Sequence, residues 1–503
     1  MKDFLKKIFR HARWPLILEW SIVILGLGLR GLYFYSNPRI FPDSFVRYFA
    51  FMEHSFFDLL KLGNEIRSFV HDPFGILVAQ KVLVSVMGAS DFSLRLFVFL
   101  CGCLSVIVFQ GIKNKFVGRY AGVVALALFS LSLWAIRYSV VVNAYASDIL
   151  TTLLLYGLFI KIKNAQVTLR NTIVWCLCCG LSLWFSLPAI FVVSGGILSL
   201  MMASFFPKQD KNRMWAYGGM AVVSMISFGA YYFISIRHFT HLPALLEHWQ
   251  EHLMPSEQGF MNSLIWSAEH FKLMFISPLG IFPVIGIVFF SIGLLTMFQE
   301  KKFEWMLLVN PFILMLLACG MKKYIFYERI LLFLLPSFYL LIGQGAEYLF
   351  LKERQISIPF ISLLLLVPLF YLPVKESREY IKFDRYANQI FTLQRYVKEN
   401  FKEGDIVFVD FVLNYEFRFY NQFAGLKDRQ YLFYNYNDLT ITDFDFAKLN
   451  KYKRIWFLSR ANQDIVSNYS KSQLSRIAVC TQVKGGSVHK LYLYEVKARH
   501  LVK

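Results

Sequence analysis

Residues 14–35 read WPLILEWSIVILGLGLRGLYFY, and the chain then turns polar through Asn37-Pro38-Arg39-Ile40-Phe41-Pro42-Asp43. At about 1.5 Å of rise per helical residue, the first stretch is long enough to cross the roughly 30 Å hydrocarbon layer of a bilayer. The second places a carboxylate where the chain first leaves that layer. Nothing about burial or packing asks for an acid there, so Asp43 is the first candidate for chemistry. The basic run Met1-Lys2-Asp3-Phe4-Leu5-Lys6-Lys7 ahead of the span lacks a small-residue cleavage site, which predicts a retained first span rather than a removed leader.

The same character extends over most of the chain. Of 503 residues 56% are hydrophobic, 52 are Phe and the mean hydropathy is +0.47, the usage of a membrane protein rather than a globular one. A net charge of +20 could suit nucleic acid, but the Lys and Arg flank apolar runs. That arrangement follows from the positive-inside rule and attraction to anionic lipid, so membrane lipids are expected as partners and nucleic acid is not. Six of the seven Cys lie in apolar runs as small hydrophobes, and Cys480 stands alone. No metal-ligand spacing or disulfide framework emerges.

Apolar runs predict spans near 14–35, 76–111, 120–142, 146–161, 171–187, 188–206, 214–236, 271–298, 306–320, 329–347 and 356–373. That is a polytopic α-helical membrane protein with about eleven transmembrane helices. The run 76–111 is too long for one span, and its first part reads as a re-entrant or interfacial helix. Short basic loops holding Lys113, Lys115 and Arg119, then Lys161, Lys163 and Arg170, then Lys208, Lys211 and Arg213, fall on alternate turns. They place the N-terminus inside and the polar segments 36–75 and 237–270 outside. From Lys375 the composition becomes that of a soluble domain. Helical spacing over 380–401, a Gly404 turn and strands at 406–409, 454–458 and 491–496 predict a small α/β domain, with Gly485-Gly486 turning into the last strand. The division is thus a membrane domain, 1–374, and an extracytoplasmic α/β domain, 375–503.

Three further clusters carry candidate chemistry. Arg47 lies one helical turn from Asp43, within reach of its carboxylate or of a bound phosphate, and His71-Asp72-Pro73 closes the same outer segment. Asp148 ends the run Tyr138-Ser139-Val140-Val141-Val142-Asn143-Ala144-Tyr145-Ala146-Ser147-Asp148, at a corner on the same outer side. An acid there reads either as a cavity-facing functional group or as the N-cap of the fourth span. Lys322-Lys323-Tyr324-Ile325-Phe326-Tyr327-Glu328-Arg329 puts cations in a short loop where the charge rule does not want them. Either the span count fails there or the loop binds phosphate. His248 and His252 have a zinc-compatible spacing, but no His-Glu-x-x-His motif accompanies them, and a solvated amphipathic helix explains them.

These pieces, in order, resemble the polytopic GT-C glycosyltransferases, in particular the bacterial relatives of protein O-mannosyltransferases and lipid A aminoarabinose transferases. Asp43-Ser44 is similar to the Asp-Glu of their first outer loop, and His71-Asp72-Pro73-Phe74-Gly75 to the Pro-containing segment that follows. Gly88-Ala89-Ser90-Asp91-Phe92-Ser93-Leu94-Arg95-Leu96 resembles their Gly-x-Ser-[Asp/Glu]…Leu-Arg-Leu stretch. Residues 138–148 resemble a Tyr-Ser-x-Glu-Val-Lys-Pro-Tyr-Ser-x-Asp motif, and 326–336 a late segment of the lipid-phosphate site. The chain departs from the pattern at Ser44, Val141, Asn143 and Ala144, where the family has Glu, Glu, Lys and Pro.

The resemblance implies transfer of a sugar from a polyprenyl-phosphate donor to a lipid, glycan or protein acceptor outside a bacterial inner membrane, with inversion. Asp43 would be the general base and Asp148 would orient the acceptor or Asp43. Tyr138, Tyr145, Arg47 and His71 would line the substrate site, and Arg329 with Lys322 and Lys323 would hold the departing phosphate. No metal ligand is assigned, and a divalent cation stays open as the cofactor. The rivals are a transporter or flippase of lipid-linked saccharides, against which the chain shows no internal repeat, and a GT-C-like scaffold without catalysis.

Overall fold

The computed structural model describes residues 14–36, 49, 55, 73–88, 90–205, 211–234, 236–238, 252–352, 371, 375, 389–410, 413–433, 446–461, 465–486 and 489–497. Asp43, Ser44, Arg47, His71, His248 and, apart from Tyr371, the expected span 356–373 lie outside the described residues. Contacts divide the chain into two units, Met1–Tyr35 with His54–Tyr380, and Ser36–Glu53 with Ile381–Lys503.

The first unit is a helical bundle. Its helices are α1 (Trp14–Ser36), α2 (Phe74–Met87), α3 (Asp91–Phe116), α4 (Arg119–Leu131), α5 (Leu133–Arg137), α6 (Tyr145–Asn164), α7 (Leu169–Phe185) and α8 (Ala189–Phe205). They continue with α9 (Lys211–Ile234), α10 (Phe260–Ile276), α11 (Pro283–Glu300), α12 (Lys302–Gly320) and α13 (Leu335–Lys352), the last entered through a 3-10 turn, Glu328–Leu334. Among the described residues seven helices are long and apolar enough to cross a membrane, and α2, α4, α7 and α8 are shorter apolar helices. The fold is that of an integral membrane protein.

Three expected spans change on inspection. The long run 76–111 is two helices, parted at Gly88, whose φ of 80° ends α2, and Ser90, whose side chain caps α3. The run 120–142 breaks at Ser132, which accepts from Ala135 N–H at 3.3 Å and starts the five-residue α5, so residues 138–144 form turns rather than helix. The run 271–298 belongs to α10 and α11, interrupted between Ser277 and Phe282. Pro278 has no N–H to continue α10, and Pro283 sits at the start of α11 where none is needed.

The segment Glu328–Leu349 is the centre of the bundle, 94% buried against 22% for α9. Its backbone meets α11 at Gly293 and Gly345, where a Cβ on either would collide with the other helix's carbonyls, Leu341 O and Phe289 O. Small residues at a crossing are how helices gain contact in lipid, where apolar burial alone discriminates little. Two charged braces lock α1 to this frame. Arg30, 1% exposed, donates through Nη1 to Gly26 O at 3.0 Å and Ser130 O at 3.1 Å. Glu19 accepts from Lys113 Nζ at 2.9 Å and Gln110 Nε2 at 2.6 Å. Lys113 is therefore not a loop cation but a fully buried partner.

The second unit is an α/β domain with α14 (Gln389–Asn400), β1 (Asp405–Val409), α15 (Asn414–Ala424), β2 (Tyr431–Phe433), β3 (Arg454–Arg460), α16 (Ile465–Ile477), β4 (Ala478–Gly485) and β5 (His489–Val496). Strand order is β2-β1-β3-β5-β4, with β1 parallel to β2 and β3, and β5 antiparallel to β3 and β4. Ile406, Phe408, Ile455, Phe457 and Tyr494 form its core with Leu449 and Leu474. The buried Asp405 carboxylate accepts from Arg454 Nε at 2.8 Å, Trp456 Nε1 at 2.9 Å and Lys402 N–H at 2.9 Å. That hydrogen bond raises the Arg454 guanidinium above its ordinary value. Phe49, from the polar segment that follows α1, belongs to this unit. Its ring centroid is 5.8 Å from that of Tyr415, and the Arg418 guanidinium lies 4.6 Å above it.

Candidate active site

The described candidates gather at one end of the membrane unit, where α5, the turn 138–144, the start of α6 and the 3-10 turn before α13 pack together. Tyr138 is buried and its ring meets Tyr145 edge to face, with centroids 4.9 Å apart. Trp134 stacks on Tyr138 at 5.5 Å, and Arg137 lies over both rings at 6.0 and 5.6 Å.

Asp148 is 5% exposed and sits in the first turn of α6. It is not the N-cap. That position is Ala144, to whose carbonyl the Asp148 N–H donates at 2.9 Å. The cap's work falls to Asn143, whose Oδ1 accepts from Tyr145 N–H at 3.2 Å. The carboxylate is thus released from capping and points among side chains, close to Cys101 on α3 and Tyr324. A negative group near the positive end of a helix is favoured by the helix dipole, which lowers the cost of burying it. Ser147 fixes the corner by donating to Phe185 O at 3.0 Å, at the end of α7.

In the loop 321–327, Tyr324 lies near enough to Asp148 to feel its charge. Its ring packs on Phe191 at 4.9 Å and its hydroxyl donates to Ile330 O at 3.3 Å. Burial first, and then the charge of Asp148, push that hydroxyl well above the ordinary phenol range, so it remains a proton donor at neutral pH. In sequence Tyr324 is only one member of the basic run 322–329. An aromatic inside a basic loop carries no signal of what it will face.

The cations of this loop separate. Lys322, with a φ of 54°, is exposed and reaches away to Glu257, Nζ to Oε1 at 2.5 Å. That bond holds the Glu257 carboxyl below its ordinary value. Lys323 is exposed. Arg329 is half-buried, its guanidinium 5.3 Å above the Tyr327 ring, in the turn that packs on α6. Arg137, which carries no motif in the sequence, lies on the helix that also packs on this turn. Tyr327 in turn contacts the ring of His252 at 4.5 Å, and Phe326 N–H donates to His252 O at 3.2 Å. His252 is therefore engaged with the loop. Among the described residues no group of three His, Cys, Asp or Glu could hold a metal ion.

The motif Gly88–Leu96 serves the frame. Ser90 and Ser93 form a reciprocal cap on α3. Arg95 Nη1 donates to Phe34 O at 3.1 Å, satisfying a carbonyl at the end of α1, and lies 4.8 Å above the Phe34 ring. It pins the point from which the chain departs toward Asp43.

No protein-family model matches the chain, and no curated protein matches it by sequence. Solved structures match its shape. ArnT from Cupriavidus metallidurans in the apo state aligns with a TM-score of 0.56 at 12% identity, covering 96% of this chain and 99% of that one. Its complex with undecaprenyl phosphate gives 0.51 at 12% identity, covering 98% and 100%. The fold is GT-C-like. The apo oligosaccharyltransferase of Archaeoglobus fulgidus gives 0.53 at 12% identity over 81% of this chain, which spans 64% of that protein's length. AglB from the same organism, in complex with an inhibitory peptide and a dolichol-phosphate, gives 0.53 at 11% identity, covering 97% and 75%. At such identities the likeness is one of fold, and the chemistry of this chain rests on its own residues.

Proposed function

We propose that the chain is a membrane glycosyltransferase that moves a sugar from a polyprenyl-phosphate donor to an acceptor on the extracytoplasmic side of a bacterial inner membrane. The observation that carries this reading is the packing of α5 and α6, which flank the 138–144 turn, on the Glu328–Leu334 turn of the basic segment. Two sequence stretches far apart in the chain, one acidic and one cationic, converge at one end of a membrane bundle. The fold adds weight, since ArnT has been solved with undecaprenyl phosphate and AglB with a dolichol-phosphate. An uncharged carrier would need no cation at this depth, whereas a lipid phosphate needs several.

In the proposed reaction the acceptor oxygen attacks the anomeric carbon as the bond from that carbon to the phosphate oxygen breaks. Asp43 takes the acceptor proton, and the lipid phosphate leaves with the bonding electrons. One displacement inverts the anomeric centre. Asp148 orients the acceptor or Asp43, with Tyr138 and Tyr145 as walls. Arg329, supported by Arg137 and Lys323, stabilises the departing phosphate, a role in which preorganised cations act most strongly when water is excluded. Lys322 contributes less, because Glu257 holds it. Arg47 and His71 complete the site from the first outer segment, in a membrane domain of residues 1–374 followed by an extracytoplasmic domain of residues 375–503.

The test is sugar release from a polyprenyl-phosphate donor by purified protein, with Asp43→Asn alongside. Loss of transfer with donor binding retained supports the base role, and unchanged transfer sinks it. Wild-type protein that binds donor yet never turns it over indicates a scaffold or carrier instead.

A further inference from the structure

At the end of α6 opposite Asp148, the ends of α3, α6 and α12 border a cleft of about 630 Å³ lined by Lys115, Ile160, Lys161, Asn164, Ala165 and Glu304. Most cations gathered there already have partners. Lys113 and Arg119 lie on Glu19, and Lys163 lies on Glu304 at 2.8 Å. Lys301 Nζ donates to Phe116 O, and Arg213 donates to the carbonyls of Lys163 and Ala165. Lys115 and Lys161 are different. Both are exposed, both line the cleft, and neither pairs with an acid among the described residues. With Glu304 neutralised by Lys163, the charge left in the cleft is positive.

An apolar strip leads up to these lysines. On α3, Leu100, Leu104 and Ile107 are 45%, 47% and 42% exposed, and with Gly111 and Lys115 they recur at helical spacing on one face. On α6, Leu154 (53% exposed), Leu158 and Lys161 share a face in the same way. The two helices pack together, and glycine keeps the surface beside their contact low. A Cβ at Gly111 would meet nothing within 4 Å, and one at Gly157 would meet only Ile112 Cγ2 at 3.5 Å. Two free cations and an amide at the head of a low apolar strip match the chemistry of one phosphodiester carrying acyl chains.

We infer that Lys115 and Lys161, with Asn164, hold the headgroup phosphate of an anionic phospholipid whose acyl chain lies along the α3–α6 face. From Asp148 to Lys161 helix α6 rises roughly 20 Å. This lipid therefore sits in the leaflet away from the candidate active site and is not the sugar donor.

The experiment uses the intact chain, delipidated in detergent and offered phosphatidylglycerol or phosphatidylcholine with identical acyl chains, with retained lipid counted by native mass spectrometry. Two interfacial lysines predict roughly thirtyfold stronger retention of phosphatidylglycerol. K115Q/K161Q reduces it to the phosphatidylcholine level, K115R/K161R preserves it, and Arg170→Gln, an exposed cation outside the cleft, leaves it unchanged. Equal retention of the two lipids by the wild-type protein overturns the proposal even where a variant is not recovered. So does an equal loss in Arg170→Gln, which would mean diffuse attraction, or displacement of the lipid by millimolar inorganic phosphate, which would mean a free-phosphate site.

Discussion

The two ends of α6 put charge to opposite uses. At the Asp148 end, an acid and two arginines are set among aromatic rings, with Trp134, Tyr138, Tyr145, Tyr324 and Tyr327 as neighbours. At the Lys161 end, charges meet opposite charges or carbonyls at close range, as in Lys113 on Glu19 and Lys163 on Glu304. The first arrangement surrounds its charges with aromatic rings, and the second uses most of its charge to hold helices together, with Lys115 and Lys161 left over. A buried ion pair is a poor source of net stability, yet removing one member strands the other in a medium that cannot solvate it. Position along one helix therefore predicts whether a substitution will damage chemistry or folding.

The largest effect tests the proposed base. Asp43→Asn should lower transfer by roughly 10²- to 10⁴-fold, the usual worth of a positioned base, with the thermal midpoint unchanged. A loss of folding in place of activity would remove Asp43 from the proposed chemistry. Next comes the structural end. Lys113→Met should destabilise the bundle by about 3 kcal/mol, read as a lowered thermal midpoint in detergent. Adding Glu19→Gln should restore part of that loss, because the stranded carboxylate is gone.

Asp148→Asn keeps size but removes charge and turns one acceptor oxygen into a donor, and should cost transfer on the order of 10²-fold, mainly in kcat, through misplacement of the reacting groups. If it instead lowers only stability, Asp148 belongs with the structural charges. The smallest effect separates the cations of the 321–329 loop. Arg329→Gln should raise the donor KM by about tenfold, the worth of one charge-assisted contact, and Lys322→Gln by less than about twofold. The Lys322–Glu257 pair itself should respond to acid. The Glu257 carboxyl is held low in the folded protein, so the pair is intact above the ordinary Glu range and is lost as pH falls through that lowered value. Donor binding is expected to pass through that loss unchanged, which a binding titration across the acid range checks.

Much of the fold was legible because apolar runs and helix breakers are local. Strands β1, β3 and β5 and the Gly485-Gly486 turn stood out for the same reason, while β4, exposed along most of its length, had no pattern to give it away. The corner at 138–148 was legible as a motif but not as a shape. Periodicity continued the third span to 142, and only the structure shows that Ser132 ends it early and that Asn143 rather than Asp148 serves the start of α6. Lys113, at a span end, looks like a loop cation in sequence because its partner Glu19 lies 94 residues away. Tyr324 and Arg137 were missed for a related reason, since an aromatic or an arginine acquires meaning only from what it faces.

By itself the sequence determined that this is a polytopic membrane protein with a small α/β domain, because hydrocarbon demands long apolar helices and any such demand is written in consecutive residues. It also marked Asp43, Asp148 and the 322–329 cluster as charges that neither packing nor orientation requires. Which charges meet was decided only in three dimensions. The pairing of Glu19 with Lys113, the approach of Tyr324 to Asp148 and the two lysines left over beside Asn164 all join residues on different helices. Coulombic energies inside a bilayer fall with distance through space and take no account of separation along the chain.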